Sequence, residues 1–338
     1  MKPAPCSAPP DFRLAEWLYE EGIGENRAVL VEGDAILEAA IELPDRLRTG
    51  TVAAARLAKI LVPGRRGLVV SGDREAILEP LPRELTEGGT LRIEIVREAV
   101  PEAGRPKLPK ARVTEGELRP GPTLIERLGQ PATHRPPGPD RFEQLGWSEL
   151  LEEALTGEIA FAGGALRMSL TPAMTLFDVD GALPPAELAC AGAAAAARSI
   201  RRFGIGGSIG IDLPTLPGRA ERQAAAAAFD ELLPQPYERT AVNGFGFLQI
   251  VRRRERPSIP ETVQGDRVGA AARALLRRAE RTPGAGERTI RAAPAVVARI
   301  EAEAGWTDEL ARRTGAPVRL RADPSLPISG GDVQSAHS

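Results

Sequence analysis

The chain has 338 residues, enough for two or three domains, and its 42% hydrophobic content is sufficient to build their cores. A formal charge of −2 excludes a polybasic nucleic-acid coat, and 4% aromatic residues leave few stacking platforms for bases. The two cysteines, Cys6 and Cys190, and the two histidines, His134 and His337, are too scattered for a disulfide framework, a zinc site or a Ser–His or Cys–His nucleophile. No uninterrupted apolar stretch reaches the roughly 18 residues of a membrane span, and no secretory leader is visible, so a cytoplasmic protein without a membrane partner is expected.

Residues 1–11 are Pro-rich and read as a disordered tail. Residues 12–46 carry three short apolar runs, EWLYEEG, NRAVLVEG and AILEAAIEL, parted at Ile23-Gly24-Glu25 and Glu32-Gly33-Asp34. This predicts a β-meander, with a helix over Leu14–Glu21 as the competing reading. Residues 47–100 repeat the pattern in TVAAARLAKIL, GLVVSG, EAILEPL and TLRIEIVREA. Short strands at even spacing predict a small barrel of the OB-fold type. It is equally readable as an oligonucleotide-binding or as a purely structural barrel. Arg65, Arg66 and Arg74 are its candidate phosphate contacts.

Residues 101–141 are rich in Pro, Gly and charge and read as a linker, with a short helix over Thr123–Leu128. Lys107, Lys110 and Arg112 are candidate RNA contacts within it, or simply solvated charges. Residues 142–258 form the richest segment. An amphipathic helix over 142–156 is followed by IAFAG, a Gly163-Gly164 turn and ALRMSL, the pattern of a hairpin.

An apolar run from Met174 to Phe177 then ends in Asp178-Val179-Asp180-Gly181. Pro184 and Pro185 suit a helix start, and an alanine-rich run continues to Arg202. Gly204, Gly206 and Gly207 stop the helix before Ser208-Ile209-Gly210-Ile211-Asp212. Strand, helix, strand predicts two parallel neighbours whose carboxyl ends share one edge. Ligands of open α/β sheets bind at that edge. Asp178, Asp180 and Asp212 would converge there, and paired carboxylates suit a hard cation such as Mg²⁺. A plainer reading makes each Asp a solvated turn residue.

A helix over 218–233 and the strands ERTAVNG and FGFLQIVRRR complete this segment. Alternation along the last strand puts Arg252 and Arg254 on one face, where they would grip RNA phosphates or simply be solvated. Residues 255–265 read as a Pro-bearing linker. Residues 259–322 as a whole are assigned to a small C-terminal α/β unit, with helices at 266–281, 294–303 and 306–314 and strands RTIRAA and PVRLRAD. Residues 323–338 read as a frayed tail. The fold class is mixed α/β.

The pieces Asp178-Val179-Asp180-Gly181 and Gly206-Gly207-Ser208-Ile209-Gly210-Ile211-Asp212 resemble the catalytic subdomain of the ribonuclease E/G family. There, one strand ends in Asp-Val-Asn-Ser-Gly and, after a long helix, the next in Gly-Gly-Leu-Ile-Val-Ile-Asp. The likeness runs nearly continuously through residues 144–258. It implies a ribonuclease H-like βαβ catalytic sheet with an inserted OB-type barrel and a small C-terminal unit used for oligomer contacts. It further implies an endoribonuclease acting on single-stranded RNA, with Asp178 and Asp212 as ligands of Mg²⁺ (or Mn²⁺) and Arg239 near the reacting phosphate. Asp180 stands where the family has Asn, so it either adds a ligand or spoils the site. The family's sensor for RNA 5′ ends, its stacking aromatics on the barrel and its Cys-Pro-x-Cys zinc link have no counterpart here. Zinc and zinc-linked dimers are therefore not expected. The rival expectation is a weakly active or inactive RNA-binding protein that keeps the fold.

Overall fold

The computed structural model describes residues 15–336, apart from 45, 103–105 and 137. The tail expected at 1–11 lies outside the described residues. Strands β1 (Glu16–Glu21), β2 (Asn26–Glu32) and β3 (Ala35–Glu42) form an antiparallel meander, so Glu16–Glu21 is a strand and not the helix weighed against it. Both its faces are covered. Leu18, Val29 and Val31 enter the main core, whereas Tyr19 and Ala28 pack against Leu124 on the other side.

Five strands follow, β4 (Val52–Val62), β5 (Arg66–Ser71), β6 (Arg74–Leu78), β7 (Thr90–Arg97) and β8 (Lys110–Val113), and close a barrel in the order β4-β5-β6-β8-β7. A closed five-stranded barrel is consistent with the expected OB type. It does not end at residue 100, however. Strand β8, inside the supposed linker, pairs parallel with β6 and antiparallel with β7. Only Ala111 of that strand is fully buried, which is why its composition resembles a linker. Further described parts of 101–141 are also tied down. Helix α1 (Leu124–Leu128) is closed by reciprocal capping between Thr123 and Glu126, and β9 (Ala132–Thr133) runs parallel to β1.

The amphipathic helix expected over 142–156 is two helices, α2 (Arg141–Gln144) and α3 (Trp147–Thr156). Gly146 separates them with φ = 88°, a left-handed conformation that a helix cannot continue through. Next come β10 (Glu158–Phe161), β11 (Gly164–Leu170), β12 (Thr175–Gly181), α4 (Pro185–Arg202), β13 (Gly207–Asp212), α5 (Arg219–Leu232), β14 (Glu238–Arg239) and β15 (Phe247–Arg252). They form a six-stranded sheet in the order β10-β11-β12-β13-β15-β14. Of its pairings only β12 with β13 is parallel, as the helical crossover requires.

One face of this sheet is covered by helices. Phe177, Val179, Ile209, Ile211, Leu248 and Ile250 pack there with Ala189, Ala193 and Ala196 of α4 and Phe229 of α5. The alanines let α4 lie close, and Gly192 brings its backbone against the Val179 side chain, where a Cβ would collide. The same core reaches Leu18, Val29 and Ala39 of the first sheet. The helical layer is therefore sandwiched, and the opposite face of the six-stranded sheet is left open.

Residues 255–265 are not merely a linker, because Ser258 and Glu261 cap helix α6 (Ile259–Gly265) reciprocally. After it come α7 (Arg267–Arg281), β16 (Arg288–Ala292), α8 (Pro294–Ala302), α9 (Trp306–Thr314), β17 (Val318–Ala322) and β18 (Gly331–Ser335). The three strands pair in the order β17-β16-β18 around a core of Leu276, Ile290, Val296 and Leu310. Strand β18 lies in the stretch expected to fray. It is held by antiparallel pairing with β16 and by Arg291 Nε donating to Asp332 at 2.8 Å.

A buried ionic network joins this unit to the rest. Glu25, fully enclosed, accepts from Arg273 at 2.8 Å and from Arg277. Arg27 lies 4.3 Å from the Phe142 ring centroid and donates to Glu20 and Asp140, both at 3.0 Å. Arg281 closes the set on Glu20 and Asp140. Among the described residues no helix is long and apolar enough to cross a membrane.

Candidate active site on the open sheet face

The parallel pairing puts Asp178 directly beside Asp212. Strand register extends the row across the sheet as Glu158, Arg167, Asp178, Asp212 and Phe247, from β10 to β15. Alternation decides which face they share. On β12 the buried residues are Thr175, Phe177 and Val179, so Leu176, Asp178 and Asp180 project from the open face. On β13 the buried Ile209 and Ile211 leave Ser208, Gly210 and Asp212 on that face. Neighbouring strands lie about 4.8 Å apart, so the two carboxylates stand one strand spacing from each other.

Asp180 is one pleat further along the strand, roughly 7 Å from Asp178 along the backbone. It lies beyond the end of β13 and faces Ala165. It extends the acidic strip without completing a three-ligand cluster. Among the described residues, no three His, Cys, Asp or Glu side chains gather as a metal-ligating group. The donor set is therefore two hard carboxylates on an open face. That fits Mg²⁺, which keeps several waters and takes one or two carboxylates plus substrate phosphate.

Arg167 is the cation of this row. Its Nε donates to Glu158 at 3.1 Å, and that bond raises the guanidinium pKa, with smaller contributions from the charges of Asp180 and Asp178. The exposed hairpin explains its position. The Gly163-Gly164 turn sets the β10–β11 register, and Arg167 alternates with the buried Leu166 and Met168.

The other residues singled out in the sequence lie elsewhere. Arg239 pairs with Ile250 at the far edge, so it shares the helix-covered face, and its Nε donates to Asp230 of α5 at 2.7 Å. Its guanidinium is thus not brought to the aspartates. Arg252 is partly buried and donates to the Ile205 carbonyl at 3.1 Å, next to Gly207 at the opposite end of β13 from Asp212. Arg254 falls beyond β15 and pairs with Glu261 at 2.6 Å, lining a cavity of about 200 Å³ at that same end. The shared face expected for Arg252 and Arg254 does not form.

On the barrel, Arg66 and Lys110 both pair with Glu79, at 3.4 and 3.0 Å, and the Lys110 bond holds the Glu79 carboxyl below its usual range. Lys107 pairs with Glu102. Arg65 is exposed on the turn after β4.

Two features of the open face escape sequence reasoning, namely Arg167 and Phe247. Phe247 lies over Gly210, where an added Cβ would meet its ring at 2.6 Å. Phe245 is 84% exposed in the turn before β15. The polar alternation of ALRMSL signals Arg167 as surface-facing, but its place opposite Asp178 depends on a second hairpin register that local sequence does not carry. No protein-family model and no curated protein matches the chain.

Proposed function

We propose that this protein hydrolyses phosphodiester bonds of single-stranded RNA with a divalent cation held by Asp178 and Asp212. The observation that carries the reading is the in-register pairing of these two carboxylates on an open sheet face. Two anionic side chains held one strand spacing apart repel each other, and a cation seated between them offsets that repulsion. When bound, Mg²⁺ would supply Lewis-acid polarisation of a phosphate oxygen and a more acidic water.

The chain's own residues have the remaining roles. Asp178 and Asp212 hold the cation and fix where the phosphate sits. Asp180, one pleat away, accepts a hydrogen bond from the attacking water and orients it. Arg167 offsets charge on the phosphate, a part that Arg239 is not placed to take. In the overall reaction a water oxygen forms a new bond to phosphorus, the bond to one ribose oxygen breaks, and that oxygen leaves as a hydroxyl. The barrel, read as an OB-type fold, and the ribonuclease H-like reading of the sheet support a single-stranded RNA substrate by resemblance. The family likeness of residues 144–258 supports the same reading.

The test is incubation of labelled single-stranded RNA with the protein in Mg²⁺ or EDTA. Asp178→Asn and Asp212→Asn are each expected to slow cleavage by on the order of 100-fold or more, the scale of losing one group that stabilises transition-state charge. Cleavage that persists in both variants overturns the assignment. A second reading, an RNA-binding protein without catalysis, is favoured by Asp180 in place of Asn and by the lack of a third gathered ligand among the described residues. Tight binding of intact RNA without cleavage in Mg²⁺ selects it.

A further inference from the structure

We infer that Phe245 is a base-stacking platform that seats one nucleobase of a single-stranded RNA beside the Asp178–Asp212 pair. The inference rests on the phosphodiester reading above and adds to it the residue that recognises the base. Phe245 exposes 84% of its surface, although burying a Phe side chain typically contributes about 1.5–3 kcal/mol.

The ring is also not on a loose loop. Asn243 Oδ1 accepts from the Phe245 and Phe247 backbone N–H groups at 2.9 and 3.0 Å. The Asn243 N–H donates to the Phe247 carbonyl at 3.1 Å, and Gly246 N–H donates back to the Asn243 carbonyl at 3.2 Å. Gly246 itself has φ = 92° and lies so close to Leu213 that any Cβ would collide with that residue's carbonyl oxygen. The Leu213 N–H in turn donates to the Gly246 carbonyl at 3.2 Å. Leu213 follows Asp212 directly. The turn that carries the exposed ring is thereby stitched to the strand end that carries the carboxylate.

The face beside this turn matches a nucleotide. The Phe247 ring reaches over Gly210 next to Leu176, and Asp212 pairs with Phe247 across the strands. A nucleotide joins a planar apolar base to an anionic phosphate. An aromatic ring next to a cation-holding carboxylate pair offers a partner for each half. A protein partner would be expected to need a broader apolar patch. Here the apolar Leu176, Phe247 and half-exposed Val251 alternate with Arg167, Asp178, Asp180, Asp212 and Gln249, so no broad apolar patch forms on the face. The stacking surfaces absent from the barrel are thus found on the catalytic sheet.

The test uses the full chain and a fluorescently labelled single-stranded oligonucleotide, with binding read by anisotropy in Ca²⁺ and cleavage read in Mg²⁺. Phe245→Ala is expected to weaken binding about 5- to 150-fold, the range of one lost base stack, and Phe245→Trp to restore it. An RNA with an abasic residue at the stacked position should bind Phe245→Ala and wild type alike. Because the ring is exposed, the melting temperature should not change. If wild type binds and cleaves RNA while Phe245→Ala binds as tightly, the inference is overturned and the phosphodiester reading stands. If wild type neither binds nor cleaves RNA, that underlying reading fails and the inference falls with it.

Discussion

The molecule contains two concentrations of charge, and they are built on opposite principles. Between the first sheet and α7, Glu20, Glu25, Asp140 and Asp266 are matched by Arg27, Arg273, Arg277 and Arg281, all largely withdrawn from water. On the open face of the six-stranded sheet, Asp178 and Asp212 stand side by side, and the nearby cation Arg167 is already bonded to Glu158. The first cluster is balanced and closed, so it holds the C-terminal unit in place. The second has surplus negative charge and is open, so it can take a cation from solution. Burial therefore marks the structural cluster, and unmatched charge on an exposed face marks the candidate functional one.

The sharpest way to break the comparison is to remove one charge from the balanced cluster. Glu25→Gln leaves Arg273 and Arg277 buried without their carboxylate and should destabilise the protein by about 3–5 kcal/mol, measured by chemical denaturation. Burial alone would raise the Glu25 carboxyl, but Arg277, Arg273 and Arg27 outweigh it and hold the carboxyl below its ordinary value of 4.5. A depressed folded-state pKa contributes stability that is present above the unfolded value and is lost as pH falls through the lower folded one. Wild type should therefore lose stability below pH about 4.5, and Glu25→Gln should lack this part of the acid slope. An unchanged midpoint in the variant would refute the structural role.

The open cluster should respond to metal instead. A cation bound only by the folded state stabilises it by about 2.7 kcal/mol at 100 times its dissociation constant. Mg²⁺ should raise the melting temperature of wild type, and this gain should vanish in Asp178→Asn and in Asp212→Asn. Equal Mg²⁺ shifts in all three proteins would remove the cation from the pair. In EDTA the sign should reverse. Asp212→Asn relieves a like-charge neighbour and should stabilise the fold by about 0.2–1 kcal/mol, the scale of cross-strand pair effects. Loss of stability in EDTA would mean that Asp212 has a partner of its own.

Local chemistry made much of this legible in the sequence. Turn residues and period-two alternation located β1 to β7, and the Pro184-Pro185 start and glycine stop framed α4. The strand–helix–strand logic placed Asp178 beside Asp212. What stayed hidden depends on partners distant in sequence. Strand β8 buries only Ala111 fully and exists because β6 and β7 offer edges to it. Strand β18 has no apolar alternation of its own beyond Val333 and is recruited by β16. Arg167 reaches Asp178 only through the register of two successive hairpins, and Phe245 owes its presentation to Asn243 and to the close approach of Gly246. Arg239 was misdirected for a similar reason. The family resemblance implied a place near the reacting phosphate, but cross-strand pairing with the buried Ile250 sends it to the other face.

Arg239 thus provides the mildest and most discriminating test. Its guanidinium grips Asp230, which also accepts from the Tyr237 hydroxyl at 2.7 Å. Burial, followed by that bond to a carboxylate, pushes the Tyr237 phenol up to about 12. The Arg239–Asp230 pair is substantially solvated, so Arg239→Ala should cost no more than about 1 kcal/mol of stability. RNA cleavage should stay within about twofold of wild type, equivalent to less than about 0.5 kcal/mol in the barrier. Arg167→Ala, by contrast, removes the cation next to Asp178 and should slow cleavage by more than Arg239→Ala does. The reverse order, with Arg239→Ala inactive but stable, would require the helix-covered edge to turn toward the substrate. The division between a closed structural face and an open reactive one would then fail.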